Sequence, residues 1–307
     1  MSFFDEIQKI YNTLKNTTGG KNVDYIPELA KIDPNLYSIS IFTIDGDEFN
    51  IGDFKHKFAI ESCSKIFTLA LALEKYGQKI IKNKIGNDTS DDVFNSICAV
   101  DKTSNHTINS FNNGGAMAIT SLLYTPNKDK FIKNIVEYIS EFADKNLYVN
   151  NKIYKSEISH ADHNLAIGYL LKSYNRFYGD VKTCVDVYTK QCSIMVTTKD
   201  VALMAATLAN NGIHPITKQK LVSKSDNDYI IHNMKINGLY NETKKWNKEV
   251  NLPAKSGISG LLLIVIPGVM GIGIVSPPLN KYGNSVKGIK TAKLLSKLTL
   301  PLSQIIN

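Results

Sequence analysis

Two pairs of apolar segments, one near each end of the chain, organise the sequence. Residues 37–44 and 47–51 are rich in β-branched side chains and flank Asp45-Gly46, so the pattern predicts a hairpin. Residues 259–266 and 269–275 predict a second hairpin. Helical periodicity occupies the middle and both ends of the chain and predicts helices over 1–15, 114–124, 128–145, 160–176, 180–190, 198–211 and 285–298.

The order of these elements predicts an α+β fold. Strands lie near both ends and helices lie between them, so we expect one antiparallel sheet built from N- and C-terminal segments, with an inserted all-helical subdomain. The prediction is a single domain, 1–307, with a sheet-containing part at about 1–80 and 220–307 and a helical insert at about 81–219. The cleft between sheet and insert is a natural ligand site.

The uncharged segment from Ser256 to Leu279 has the length of a membrane span. Pro267-Gly268 interrupts it, and both halves are rich in β-branched residues, which favours a buried hairpin. The N-terminal residues 1–15 include Asp5 and Glu6 and lack the basic start and apolar stretch of a signal peptide. We therefore expect a soluble, cytoplasmic protein that does not associate with membranes.

The net charge of +8 suggests nucleic-acid binding, but the distribution of basic residues argues against it. Apart from Arg176, every basic residue is a lysine, and the lysines are spread along the chain without interleaved aromatics. The cysteines are also scattered, with no Cys-x-x-Cys pair and no histidine at ligand spacing, which indicates free thiols in a reducing compartment: Cys63, Cys98, Cys184 and Cys192. No metal or organic cofactor is expected.

The segment Ser62-Cys63-Ser64-Lys65 has the most chemical content, because it opens an apolar helical run, Ile66–Leu73. On a helix this spacing puts the Ser62 hydroxyl and the Lys65 amine on one face. A buried lysine loses its proton more easily and can then act as the base that activates the serine. A Ser-x-x-Lys match is no rarer than chance in this composition, so its context has to decide.

That context includes Lys255-Ser256-Gly257, which directly precedes the second hairpin. A second cation at Lys255 is expected to keep Lys65 unprotonated by repulsion, and Gly257 lets the backbone approach a substrate closely. Backbone N–H groups at this strand edge and at Ser62 form a plausible oxyanion hole. The order of the two motifs is similar to that of serine β-lactamases and penicillin-binding proteins.

Two other tripeptides also match β-lactamase motifs. Ser225-Asp226-Asn227 lies in a polar stretch too late in the chain, and we interpret it as a solvated turn. Tyr148-Val149-Asn150 lies in an asparagine-rich loop. Neither is expected to take part in catalysis.

Longer stretches resemble a known family, the bacterial-type serine-dependent glutaminases, which have a β-lactamase-like fold. The resemblance runs from about Val23 to the C-terminus. It rests on these segments: Tyr25-Ile26-Pro27-Glu28-Leu29-Ala30, Glu61-Ser62-Cys63-Ser64-Lys65, Asn113-Gly114-Gly115-Ala116, Ser156-Glu157 with Asn164, Tyr188-Thr189-Lys190-Gln191-Cys192-Ser193, Met204-Ala205-Ala206-Thr207-Leu208-Ala209-Asn210, Pro253-Ala254-Lys255-Ser256-Gly257-Ile258, and Ser276-Pro277-Pro278-Leu279 with Gly283-Asn284-Ser285.

The resemblance implies roles for individual residues. Ser62 would be the nucleophile, Lys65 the base and Tyr188 a third catalytic group, with Lys255 and Gly257 in support. The substrate-binding set would be Tyr25, Ser62, Asn113, Glu157, Asn164, Tyr188, Tyr240 and Ile258, the last through its backbone N–H. It also implies a homodimer or homotetramer.

We therefore expect an amidohydrolase that converts L-glutamine to L-glutamate and ammonia through a Ser-Lys acyl-enzyme. Glu157 suits the substrate's α-ammonium, and a helix would place Glu157 and Asn164, seven residues apart, on one face. The alternatives are a penicillin-recognising serine hydrolase and a catalytically silent protein that binds glutamine or glutamate.

Overall fold

Both predicted hairpins join one five-stranded antiparallel sheet in the computed structural model, which describes residues 3–305. The strand order is β2-β1-β7-β6-β5, so the N-terminal hairpin pairs with the C-terminal strands, and the predicted α+β architecture is confirmed. The strands of this sheet are β1 Ser38–Thr43, β2 Glu48–Gly52, β5 Ala254–Ser256, β6 Leu261–Ile266 and β7 Met270–Val275. A second, two-stranded sheet pairs β3 Phe58–Ala59 with β4 Met195–Val196.

Helices cover both faces of the large sheet. Their bounds are α1 Phe3–Leu14, α2 Pro27–Ala30, α3 Ser64–Ile85, α4 Cys98–Asp101, α5 Asn113–Leu122, α6 Lys128–Phe142, α7 Asn151–Ile158, α8 Asp162–Ser173, α9 Val181–Cys192, α10 Thr198–Ala209, α11 Lys224–Asn237, α12 Thr243–Glu249 and α13 Val286–Ile305. Single 3-10 turns precede α3 and α12, at Glu61–Cys63 and Tyr240–Glu242.

The central strands are buried on both faces, which explains their unbroken apolar sequences. Along β6, Leu261, Leu263 and Val265 join the core shared with the helical region. The alternate residues Leu262 and Ile264 join a second core with α1 and α13. The pleat thus divides one apolar run between two cores.

Glycines in β7 allow α10 to lie directly on the sheet. A Cβ at Gly271 would come within 2.1 Å of the Ala206 nitrogen, and a Cβ at Gly273 within 2.4 Å of the Thr198 carbonyl oxygen. Only glycine leaves room for this approach of two backbones. The close packing fixes α10 against β7. This strand pairs with β6, which in turn pairs with β5, the strand that carries Lys255.

The expectation of a buried hairpin at 259–275 is confirmed, and among residues 3–305 no helix has the combination of length and apolarity that crossing a bilayer requires. The expected helix over 160–176 begins at Asp162 instead, and the separate helix α7 precedes it. The side chain of Asn150 caps α7 by accepting bonds from the N–H groups of Lys152 and Ile153. The division of the chain into a sheet part and a helical insert stays a prediction.

Candidate active site

Ser62 lies in the 3-10 turn between β3 and α3, and its side chain lines a cavity of about 390 Å³. This volume is within the range of pockets that hold small metabolites. Glu61, which precedes the serine, and Tyr240, which lines the same cavity, have left-handed backbones with φ of 49° and 54°. Such conformations are costly for residues other than glycine and occur preferentially at functional sites.

Lys65 is fully buried behind Ser62, in the first turn of α3. Its Nζ donates to the Phe111 carbonyl oxygen at 2.9 Å and to Asn113 Oδ1 at 2.7 Å, and it lies 3.2 Å from the Tyr240 hydroxyl. Burial lowers the pKa of the amine to about 8, although nearby acidic groups oppose the shift. The burial that the sequence argument requires for Lys65 to act as a base is therefore present.

These three partners match the three N–H donors of the protonated amine. When Lys65 is neutral, its two N–H bonds can stay with the Phe111 and Asn113 oxygens, which can only accept, and its lone pair can face the Tyr240 hydroxyl. The Ser62 side chain lies next to the Tyr240 phenol and opposes the rise that burial causes in the pKa of Tyr240. Among residues 3–305, no direct hydrogen bond joins Lys65 to Ser62, and the Tyr240 hydroxyl is a group that lies beside both.

Lys255 lies in β5 opposite Leu263, and paired residues share one face of the sheet. The Lys255 side chain therefore points, like that of Leu263, towards the helical core and the site. Its Nζ donates to the Gly238 and Ser256 carbonyl oxygens, both at 2.9 Å, and lies 3.9 Å from the centre of the Tyr240 ring. Burial and then the charge of Lys65 hold the pKa of Lys255 well below its usual value. Burial is the main cause of the low pKa of Lys65, and the further help that repulsion from Lys255 would give stays a prediction.

Asn113 connects the amine to the rest of the cavity. Its Oδ1 accepts from Lys65 and, at 3.1 Å, from the Tyr188 hydroxyl, while its Nδ2 donates to Asn164 Oδ1 at 3.2 Å. Asn113 is the first residue of α5 rather than part of a loop, and its N–H donates to the Phe94 carbonyl oxygen at 2.8 Å. The orientation of its side-chain amide is thus set by three partners, Lys65, Tyr188 and Asn164.

Two carboxyl groups form the acidic side of the cavity. Glu61 Oε1 and Glu157 Oε2 are buried, and neither has a hydrogen-bond partner among the described residues. Burial raises the pKa of both groups, and the charge of Glu157 raises that of Glu61 further. An arriving cation would satisfy both oxygens and favour their ionised forms.

The third side of the cavity is the segment that follows β5. A Cβ at Gly257 would meet the Ile60 carbonyl oxygen at 3.1 Å, so glycine permits close packing against the turn that carries Ser62. The Cys63 thiol also donates to the Lys255 carbonyl oxygen at 3.3 Å. Within residues 3–305, the N–H groups of Ser62 and Ile258 make none of the backbone hydrogen bonds found in turns, loops and caps. Both residues line the cavity.

The structure brings the sequence-predicted site residues together. Lys65 and Lys255 lie behind the cavity wall, and the others line the cavity: Tyr25, Ser62, Asn113, Glu157, Asn164, Tyr188, Tyr240, Gly257 and Ile258. Tyr25 is half exposed. The lining also includes residues to which the sequence assigned no role: Ile26, Glu61, Phe94, Asn95, His160, His163, Cys192, Ser256, Tyr282 and Gly283.

One reason offered for the pairing of Glu157 and Asn164 was wrong. They lie on two helices, because α7 ends at Ile158 and α8 begins at Asp162, and the intervening turn brings both to the cavity. The 225–227 tripeptide was also misread as a turn, since it lies in α11, whose N-cap is Ser223. Neither this tripeptide nor residues 148–150 line the cavity.

Comparisons with known proteins agree with this geometry. A family model described as Glutaminase matches residues 20–301. A glutaminase of Colwellia psychrerythraea is 40% identical over 287 residues, which cover 94% of this chain and 92% of that protein.

Two solved structures are also similar. One, described as a probable glutaminase, has a TM-score of 0.93 and 37% identity and covers 96% of this chain and 95% of its own. Another, described as Mglu in its glutamate form, has a TM-score of 0.92 and 32% identity and covers 97% of this chain and 69% of its own. The β-lactamase-like fold implied by the resemblance is thereby confirmed, and the chain belongs to the glutaminase family.

Proposed function

We propose that this protein hydrolyses the side-chain amide of L-glutamine to L-glutamate and ammonia through a Ser-Lys acyl-enzyme. The observation that carries the proposal is the pairing of two features in one cavity: a serine linked to a buried amine, and buried carboxyl oxygens that have no protein partner. A glutamine molecule has an amide at one end and an α-ammonium at the other, which matches this arrangement. Proteins similar to this chain are named glutaminases.

Substrate recognition depends on charge and hydrogen bonds. Glu157 accepts hydrogen bonds from the α-ammonium. When this cation replaces a proton shared by Glu61 and Glu157, the free-energy cost of burying two ionised carboxyl groups side by side falls. The Nδ2 of Asn164 has no protein partner among the described residues and is free to donate to the α-carboxylate. A site of this kind rejects analogues that leave its buried polar groups unpaired.

The acylation step follows the hydrogen-bond chain. The Ser62 hydroxyl passes its proton to Tyr240 as the tyrosine passes its own to Lys65, and the serine oxygen attacks the side-chain carbonyl carbon. The N–H groups of Ser62 and Ile258 stabilise the oxyanion. The proton returns along the same chain to the departing nitrogen, and ammonia leaves.

Deacylation repeats the same proton transfers with water as the nucleophile. Water enters from the cavity and loses its proton through Tyr240 to Lys65 as it attacks the glutamyl ester, and the regenerated serine oxygen recovers a proton. The Asn113 side chain and the Phe111 carbonyl hold the amine throughout both steps, because each keeps one N–H bond. Tyr188 orients Asn113 through its hydroxyl, so in this mechanism it acts on the base through the asparagine.

The direct test is the release of ammonia and glutamate from L-glutamine by the purified protein. Equal yields of both products support the proposal, and N-acetyl-L-glutamine should be a poor substrate because it has no ammonium for Glu157. Tight binding of glutamine without turnover would favour a catalytically silent protein. Covalent labelling by a fluorescent penicillin, with no glutamine turnover, would favour a penicillin-recognising enzyme.

The rate is expected to increase with pH through an apparent pKa near 8. The base is the neutral form of Lys65, whose fraction rises as pH increases through the pKa of about 8 that burial imposes. The carboxyl pair also binds the ammonium better when it is ionised, which happens at higher pH. Profiles of kcat and kcat/KM between pH 5.5 and 9 should be measured, and a plateau already reached at pH 6 would contradict Lys65 as the base.

Assembly and location are also proposals. We infer a homodimer or homotetramer in the cytoplasm. The assembly rests on the family resemblance. The location is supported by the four cysteines, which are all free thiols in the structure, as is usual in a reducing compartment. Light scattering during size-exclusion chromatography measures the assembly.

A further inference from the structure

Three potential metal ligands meet on the acidic side of the cavity. A carboxylate oxygen of Glu61, a carboxylate oxygen of Glu157 and the Sγ of Cys192 all lie within 4.8 Å of one another. All three residues line the cavity that contains Ser62. The proposed reaction uses the two carboxyl groups to hold the substrate ammonium and gives the thiol no part, so the thiol needs another explanation.

Their surroundings favour a positive partner. Glu61 is 2% exposed, and its Oε1 has no hydrogen-bond partner among the described residues, like Glu157 Oε2. Cys192 is also 2% exposed, and burial together with the two carboxylates raises the pKa of its thiol. Unpaired buried acidic groups of this kind are stabilised in their ionised forms by a nearby cation.

We propose that Glu61, Glu157 and Cys192 bind a divalent cation with affinity for thiolate, best matched by Zn²⁺, at the place where the substrate ammonium binds. Two carboxylates and a thiolate supply three ligands, and water fills the fourth position of a tetrahedral site. Magnesium and calcium are less suitable because they prefer oxygen ligands alone. The thiolate therefore determines which metals the site accepts.

The spacing needs only a small adjustment. Bond lengths typical of zinc place tetrahedral oxygen and sulfur ligands about 3.4–3.6 Å apart, so the three atoms have to close by roughly 1 Å. Rotation about the side-chain bonds of the two glutamates supplies a movement of this size.

The consequence is reversible inhibition. A bound metal occupies the position of the α-ammonium, so Zn²⁺ competes with glutamine, and binding strengthens with pH because the thiol and a carboxyl group must lose protons. The inhibition rests on the proposed glutaminase function, but the binding of the metal does not. The two can therefore be tested separately.

Metal binding is tested without substrate, using Co²⁺ as a spectroscopic substitute for Zn²⁺. The native protein should show a near-ultraviolet thiolate-to-cobalt absorption that excess Zn²⁺ removes. Cys192→Ser should lose this absorption, and Cys98→Ser should retain it because Cys98 is an exposed thiol outside the cavity. Absorption that is absent from the native protein, or that persists in Cys192→Ser, would overturn the site whatever the enzyme's activity.

Inhibition is tested by steady-state kinetics at several concentrations of Zn²⁺, each variant being compared with its own metal-free rate. We expect the apparent KM for glutamine to rise with Zn²⁺ while kcat stays constant, with reversal by a chelator. Cys192→Ser should raise the inhibition constant by about ten-fold or more, since even residues one step removed from a metal contribute about 10–100-fold to affinity.

A second variant keeps the test valid if Cys192→Ser does not fold. Glu61→Gln preserves side-chain volume, removes one ligand charge and should also weaken both cobalt binding and zinc inhibition, whereas Cys98→Ser should change neither. Cobalt binding without competition against glutamine would support the metal site and contradict the placement of the ammonium between the carboxylates. Equal zinc sensitivity in the native protein and both cavity variants would overturn the proposal.

Discussion

Ser62→Ala is expected to lower kcat for glutamine by about 10⁴-fold or more, because it removes the proposed nucleophile of the acyl intermediate. The hydroxyl is partly exposed at the cavity, so its removal should leave the fold unchanged. Ammonia release measures the loss. Mass spectrometry after rapid acid quench should detect a glutamyl adduct on the native protein and none on the variant.

Ser64→Ala is the matched control for this substitution. Ser64 lies two residues further along, is buried, and its hydroxyl has no hydrogen-bond partner among the described residues. Removing an unpaired buried hydroxyl costs little or stabilises the protein, so activity and thermal stability should stay close to native. Activity of Ser62→Ala within ten-fold of native would refute Ser62 as the nucleophile.

Lys65→Met is expected to lower kcat by about 10³–10⁴-fold, since general base catalysis typically contributes up to that factor. Methionine is similar in length to lysine but cannot accept a proton, and it leaves the Phe111 and Asn113 oxygens without their donor. The increase in rate through pH 8 should disappear with the amine. Lys79→Met, an exposed position later in α3, should leave both the rate and its pH profile unchanged.

Tyr240→Phe separates the proton relay from direct transfer. If the phenol carries the proton between Ser62 and Lys65, this variant should lose about 10²-fold in kcat while KM changes less, because the ring still packs against Lys255. An unchanged kcat with the native pH profile would show that Lys65 reaches Ser62 without the tyrosine. In that case the assignment of Lys65 as the base would stand and the relay would be wrong.

The secondary structure near the sheet could be predicted because its causes are local. The strands at 261–266 and 270–275 are apolar runs separated by Pro267-Gly268, and this punctuation is visible in the sequence. The break between α7 and α8 was missed, because residues 159–161 contain no proline or glycine to signal it. The turn there depends on packing against the rest of the cavity wall.

Within the site, the residue types were predictable and their partnerships were not. The spacing of Ser62 and Lys65 indicated a nucleophile and a base, but the phenol between them comes from Tyr240, 175 positions after the lysine. Glu61 and Cys192 stood inside stretches that resemble the glutaminases, and no local signal indicated that they face Glu157. Such proximity is a property of the folded chain.

Local sequence patterns are enough to identify the two hairpins of the large sheet, the helical character of the region between them, the Ser-x-x-Lys and Lys-Ser-Gly motifs and the resemblance to glutaminases, since each depends on neighbouring residues. Only the tertiary structure decided which amines lose their protons, because the pKa of Lys65 and Lys255 depends on burial by segments distant in the chain. It also decided where unpaired carboxyl groups meet a thiol. Solvation and long-range contacts, which no local pattern records, are the physical reason for the difference.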